Sequence, residues 1–214
     1  MQQTEWLFSS HSRLEQAIRA RLQEFKSVWQ RGNDAVLFEE LCFCLLTPQS
    51  RARNADAAIR ELKESNLLYG GTPEQIAPIL KGKVRFHNQK AARIVEAREK
   101  FLASGMRKSL NHLETLGNAE KREWLVQNVN GYGYKEAAHF LRNMGFCEGI
   151  AILDRHILKN LARLKVIREA PKTLTKKAYM EIEGKMKSFC SENRISMEAL
   201  DLVLWAEETG EIFK

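Results

Sequence analysis

Proline and glycine are sparse in this chain, with four and twelve residues among 214. So little punctuation is at odds with the frequent tight turns of an all-β architecture. No apolar stretch approaches the ~18 residues that a membrane-spanning helix requires. The N-terminus, MQQTEWLFSSHSRLEQAIRA, lacks the apolar core of a signal peptide. Cysteine is also scarce. Cys42, Cys44, Cys147 and Cys190 show no zinc-ribbon or haem spacing, and no four-cysteine cluster near the C-terminus offers an iron–sulfur site. Cys42 and Cys44 lie in the apolar run LCFCLL, where cysteine behaves as a small buried hydrophobe. These absences describe a reduced, intracellular protein with no cofactor and no membrane partner.

What is present is helical periodicity. Apolar residues recur at helical spacing nearly throughout, and no segment alternates as a strand would. Trp6, Leu14, Ile18, Leu22, Phe25 and Trp29 mark a long first helix ending near Gly32. Asp34 is placed to cap a buried helix, AVLFEELCFCLL, that Pro48 stops. Thr72-Pro73-Glu74-Gln75 is a capping box with proline in the first helical turn. Further helices follow to SMEALDLVLWAEETG, giving nine or ten in all and an all-α fold. The formal charge of +7 favours a polyanionic partner without specifying one.

The chemistry-bearing stretch is Val129-Asn130-Gly131-Tyr132-Gly133-Tyr134-Lys135-Glu136-Ala137, two glycines between two helices. Glycine allows backbone conformations and approaches that a Cβ forbids. A hairpin feeding a helix N-terminus presents free amides suited to a phosphate; the same pattern also serves as a plain helix–helix turn. Lys135 sits in the first helical turn, where its charge opposes the helix dipole, so stability does not explain it. It reads either as a surface lysine touching phosphate or as a reactive amine. Asp154, in Ile152-Leu153-Asp154-Arg155-His156, opens another helix and serves at least as its N-cap.

The segment NGYGYKEAAHFLRNMGFCEGIAILDRHIL resembles the helix-hairpin-helix and catalytic aspartate of the DNA glycosylase superfamily. A lysine two residues after the second hairpin glycine marks its bifunctional glycosylase/lyases. The closest resemblance is to the second, short bacterial and archaeal family of 8-oxoguanine DNA glycosylases. Leu45-Leu46-Thr47-Pro48-Gln49-Ser50 is similar to the family segment that carries an intrahelical plug. Val84-Arg85-Phe86-His87-Asn88-Gln89-Lys90-Ala91 is similar to its helix-opening motif, and the terminal Lys214 is a family trait. The resemblance runs from about residue 34 to the end. It implies two helical domains, 34–134 forming a barrel and 1–33 with 135–214 forming a discontinuous second domain, with the hairpin at the active-site cleft.

The resemblance also implies roles. A glycosylase must extrude its nucleotide to reach C1′. Gln49 would fill the gap, its amide pairing with the orphaned base, although a loop residue after Pro48 needs no such role. Lys135 would attack C1′ and must arrive as a neutral amine, which partial burial and nearby positive potential favour. Asp154 would stabilise the cationic sugar and assist proton removal, so the two are expected to converge. Asn130, Gly131, Tyr132, Gly133 and Tyr134 would hold a phosphate, with Na⁺ or K⁺ possible on the hairpin carbonyls. His156 and Arg155 would add contacts to duplex DNA, Arg155 reading equally well as a solvated helix residue. Recognition of 8-oxoguanine needs an acceptor for its N7–H, a role implied for Lys214 and its terminal carboxylate. Trp205 is a stacking candidate or a core tryptophan, and Phe86 is a further pocket candidate. One flipped base needs only a monomer. Two other readings use the same residues: a glycosylase for another oxidised base, and a non-catalytic helix-hairpin-helix module that grips DNA.

Overall fold

A computed structural model describes residues 4–146 and 148–213. Among the described residues the regular structure is entirely helical. Calls on Cys147 and Lys214 therefore lie outside the described residues. The helices are α1 (Glu5–Arg31), α2 (Asp34–Leu46), α3 (Ala52–Glu64), α4 (Leu67–Gly70), α5 (Pro73–Leu80), α6 (His87–Ala97), α7 (Met106–Leu110), α8 (Asn118–Asn128), α9 (Tyr134–Asn143), α10 (Arg155–Arg163), α11 (Lys176–Asn193) and α12 (Met197–Thr209). A π-helical turn, Arg98–Leu102, continues α6. No described helix is long and apolar enough to cross a membrane.

The chain divides into two compact units, residues 28–140 and residues 1–27 with 141–214. Both divisions fall inside helices, α1 and α9, rather than in linkers.

In the unit 28–140, α2 is the central helix. Leu37, Phe38, Leu41, Cys42, Phe43, Cys44, Leu45 and Leu46 are all buried, as expected of a helix apolar on every side. It packs on α3, α6 and α7, which offer Ala55, Ala58 and Leu62, Ala91 and Ile94, and Met106 and Leu110. The cap of α2 differs from the sequence expectation. Asn33 is the N-cap, its side chain accepting from the Val36 amide, and Asp34 is the first helical residue. Asp34 is spared for a tertiary bond, its Oδ1 accepting from the Arg107 amide at 2.8 Å. The capping box at Thr72 and Gln75 is present as expected. Cys42 and Cys44 are both buried in this core, and burial pushes the Cys42 thiol well above its usual range.

In the unit 1–27 with 141–214, α12 packs on α10 and α11. Its apolar residues Leu200, Leu202, Val203 and Leu204 are fully or almost fully buried. Gly145 has φ +82°, and a Cβ there would lie 2.8 Å from the Lys26 Cα, so only glycine lets the chain cross α1 so closely. A charged pair is buried beside it. Arg142 donates to Asp201 Oδ2 at 2.9 Å and lies 4.7 Å over the Phe25 ring. Asp201 Oδ1 has no partner among the described residues. Burial raises the Asp201 carboxyl to about 7, outweighing the opposing Arg142 charge, with Asp154 and Glu198 adding to the rise. A folded-state value above the ordinary 3.8 means that the folded chain holds the proton more tightly. This contribution to stability is therefore complete at acidic pH and is lost as pH rises through about 7. Asp201→Asn is expected to flatten the fall in urea midpoint between mildly acidic and mildly alkaline buffer.

Candidate active site

The hairpin joins α8 to α9. Gly131 has φ +95°, a region that favours glycine, and a Cβ on it would meet the Arg93 side chain at 2.7 Å. Arg93, on α6, thus covers the turn with a positive charge that the sequence did not single out. Asn130 is exposed and donates from Nδ2 to Glu96 at 2.7 Å. Tyr132 is a core residue, 6 % exposed, with its hydroxyl donating to the Leu41 carbonyl at 2.9 Å. What Tyr132 has to offer DNA is its backbone. Tyr134 is half-buried and donates to Glu123 at 2.6 Å, and the Arg122 guanidinium lies over its ring. The Gly133 amide, one of those expected to face a phosphate, donates to Glu136 Oε2 at 3.1 Å. Glu136, three residues on, acts as the returning half of a capping box.

Lys135 projects from the first turn of α9, its side chain 22 % exposed. Its Nζ donates to Thr47 Oγ1 at 3.1 Å and lies 3.1 Å from Glu136 Oε1. Thr47 donates its own hydroxyl proton to the Cys44 carbonyl at 3.0 Å. With that proton committed, the oxygen lone pairs are left to accept from Lys135. Glu136 so divides its carboxylate, one oxygen on the hairpin amide and one beside the amine. The negative charge in the first turn offsets the unfavourable position of the lysine.

The loop after α2 carries two more candidates or their supports. Gln49 is exposed and non-glycine with φ +53°, a conformation that persists only where the surroundings enforce it. Lys90 does the enforcing. This α6 lysine is 1 % exposed, and its Nζ donates to the Leu46 carbonyl at 2.7 Å, the Pro48 carbonyl at 2.8 Å and Ser50 Oγ at 3.1 Å. Phe86 precedes α6 with φ +58° and is 49 % exposed. An aromatic face so displayed is available to stack on a base, and the Arg85 guanidinium sits 5.5 Å from its ring.

In the other unit, Asp154 is the N-cap of α10. Its Oδ1 accepts from the amides of His156 at 2.8 Å and Ile157 at 2.9 Å. Both bonds fall on one oxygen, so Oδ2 is not used by the cap. The approach to Asp154 is fixed from α11. Glu183 accepts from the Ala151 amide at 2.7 Å, while the Tyr179 hydroxyl donates to the Ala151 carbonyl at 2.5 Å and accepts from the Leu153 amide at 3.3 Å. Trp205 is half-buried, with the His156 ring edge-on at 6.2 Å. His156 Nδ1 lies 3.5 Å from Glu208, which also holds Lys159 and Asn160. Arg155 is exposed and donates weakly to His156 Nε2 at 3.4 Å. Phe213 is buried, so the tail is anchored up to the residue before Lys214.

Sequence reasoning missed Thr47, Lys90, Arg93, Glu136 and Glu208. Two carried a signal. Glu136 stands three residues after Gly133 in a capping pattern. Lys90 falls in the buried register of α6 with Ala91, Ile94 and Ala97, where a lysine is out of place.

A family model described as 8-oxoguanine DNA glycosylase matches residues 18–195. Among characterised relatives, the 8-oxoguanine DNA glycosylase/AP lyase of Fusobacterium nucleatum is 51% identical over 92% of this chain and 90% of its own. That of Methanocaldococcus jannaschii is 38% identical over 95% of each. The crystal structure of the Methanocaldococcus jannaschii enzyme with a 15mer DNA containing 8-oxoguanine aligns with a TM-score of 0.84 at 34% identity, over 98% of this chain and all of that one. The Thermotoga maritima 8-oxoguanine DNA glycosylase aligns with a TM-score of 0.84 at 32% identity, over 99% of this chain and 100% of its own. On a family match over most of its length and full-length relatives of this identity, the chain belongs to the 8-oxoguanine DNA glycosylase family.

Proposed function

We propose that the chain excises 8-oxoguanine from duplex DNA and then nicks the strand at the resulting abasic site. The observation that carries this reading is the amine of Lys135, partly exposed at the hairpin and held between the Thr47 hydroxyl and a Glu136 oxygen. The relatives that share this chain's length are named glycosylase/AP lyases, and one is seen with 8-oxoguanine DNA. The Lys135 lone pair attacks C1′, and the bond from C1′ to the base breaks with its electron pair leaving on the base. The nitrogen then drives out O4′, opening the sugar to a protonated Schiff base. Loss of a C2′ proton expels the 3′ phosphate oxygen and cuts the strand. Glu136 accepts the first proton from Lys135. Asp154 offers Oδ2 to the positive charge that develops on the sugar.

Phe86 and Trp205 supply aromatic faces for the extruded base, Gln49 fills the space it leaves, and hairpin amides with Arg93 and Arg155 hold the backbone. The working unit is a monomer acting on nucleoid DNA. Lys214 and the terminal carboxylate provide the acceptor for N7–H, which guanine lacks; a buried acceptor left unpaired by guanine penalises the wrong base.

The test is a panel of duplexes containing 8-oxoguanine, guanine, an oxidised pyrimidine or a preformed abasic site, assayed for nicking by the intact chain and by one lacking Lys214. The intact chain is expected to cut the 8-oxoguanine and abasic duplexes and spare the others. Removing Lys214 is expected to slow cutting at 8-oxoguanine by about tenfold or more, the worth of one buried unpaired acceptor. Abasic nicking should hold near its intact rate. Unchanged lesion choice after the deletion would rule out the tail as the recognition element. A chain that binds these duplexes and cuts none is only a DNA-gripping module.

A further inference from the structure

The loop 46–50 is fastened by a charge that packing alone does not require. Lys90 is among the most buried side chains of the unit, and no carboxylate is among its hydrogen-bond partners described above. An ammonium out of water is costly unless its donors are satisfied. Here three N–H groups meet three neutral acceptors, Leu46 O, Pro48 O and Ser50 Oγ. Ser50 Oγ in turn accepts from the Arg85 amide at 3.0 Å. A methionine of similar length would fill the space without burying a charge. The three bonds bracket Thr47 and Gln49, the residue that receives the Lys135 amine and the strained residue beside it.

We propose that Lys90 is a positioning residue for the lyase chemistry: it clamps the 46–50 loop so that Thr47 presents its oxygen to Lys135. The proposal rests on the reading of Lys135 as nucleophile. The charged groups that face Lys90 are Lys135, Glu136 and Arg93. Burial first, then Lys135 and Arg93, hold Lys90 down to about 8, with Glu136 pulling the other way. Lys90 is thus charged at neutral pH and loses its charge, and with it one donor of the clamp, in mildly alkaline solution.

The experiment is single-turnover borohydride trapping by the full chain on a duplex with one abasic site, from mildly acidic to alkaline pH. Three variants are compared with the native chain. Lys90→Gln keeps two of the three donors and removes the charge. Lys90→Arg keeps the charge in a shape that fits the three acceptors poorly. Ser50→Ala removes one tether. Lys90→Gln is expected to trap about tenfold or more slowly near neutral pH, the worth of one buried acceptor left without its donor. The deficit should narrow in alkaline buffer, where Lys90 loses one donor of the clamp in the native chain too. Lys90→Arg and Ser50→Ala should also trap more slowly, because each loosens the same loop. Binding to a duplex carrying a reduced, uncleavable abasic analogue should hold in all three, because Lys90 does not reach the surface.

A folded Lys90→Gln with the native profile, or one slowed equally at every pH, would overturn the proposal. Should Lys90→Gln fail to fold, native trapping rates in both Lys90→Arg and Ser50→Ala would overturn it. Lys135→Gln, run alongside, separates the two ideas. An adduct formed by Lys135→Gln sinks the nucleophile reading, whereas no adduct there with a native-like Lys90→Gln sinks this one alone.

Discussion

Lys135→Gln is expected to yield no borohydride-trapped adduct with 8-oxoguanine or abasic DNA, and to slow strand cutting by about 10⁴-fold or more, the order seen when a covalent nucleophile is removed. Glutamine approximates the length of lysine, and its amide nitrogen can still donate to Thr47 Oγ1. Its lone pair is delocalised into the carbonyl, so it does not attack a sugar carbon. The loss therefore falls on chemistry and not on the site's shape. Stability argues the same way. A positive charge in the first turn of α9 opposes the helix dipole, and removing it should leave the melting temperature equal or slightly higher, by an amount worth about 0.3–1 kcal/mol. Duplex affinity should change little, since one lysine is a small part of a phosphate-binding surface. Trapping by Lys135→Gln would place the nucleophile elsewhere. Lys90 is a poor substitute, being 1 % exposed with its three donors already engaged. The comparison is made at matched pH by gel separation of covalent adduct from free strand.

The sequence was most legible where chemistry is local. The long first helix ends at Arg31, one residue before the glycine that was expected to stop it. The Thr72 box formed as its four residues dictate. At α2 two adjacent residues were both able to cap, and the choice fell to Asn33 because Asp34 is taken by the distant Arg107 amide. Such a tertiary bond leaves no trace in a local pattern. The short helices α4 and α7 offer too few turns for a periodic signal. The π-helical turn at Arg98–Leu102 keeps the polarity of a helix while changing its pitch. Within the candidate site, Lys135 stood out because it opposes a dipole beside two glycines. Its partner Thr47 did not, since the two are 88 residues apart in sequence and meet only in the folded chain. Tyr132 shows the opposite failure. Its place in a turn expected to bind phosphate hid the fact that a tyrosine flanked by glycines can turn inward and bury its ring, with the hydroxyl satisfied by Leu41. Phe86 and Gln49 adopt positive φ, which neither residue type announces.

Asp154 is an N-cap for which we propose a second, catalytic role, and one pair of substitutions can separate the two. As an N-cap it satisfies the His156 and Ile157 amides through Oδ1, and asparagine caps a helix about as well as aspartate. Asp154→Asn should therefore fold with near-native stability. Asp154→Ala should lose about 1 kcal/mol of stability with the cap. On activity the two variants should fall together. Neither retains the negative charge that the proposed mechanism sets against the developing sugar cation, and removing one well-placed electrostatic group costs about 10²–10³-fold in rate. Base excision should suffer most, because the cation is greatest as the bond to the base breaks. Nicking at a preformed abasic site bypasses that step and should fall less. A pH effect accompanies the loss of charge. Asp154 is among the groups that help raise the Asp201 carboxyl, after burial. Asp154→Asn should thus move the alkaline loss of stability assigned to Asp201 toward lower pH, whereas a substitution that merely disturbed DNA contacts would leave it in place. Single-turnover excision of 8-oxoguanine and urea melts at several pH values give both readouts. Native excision rates in Asp154→Asn would reduce this residue to a helix cap and leave the sugar cation to be stabilised by some other group.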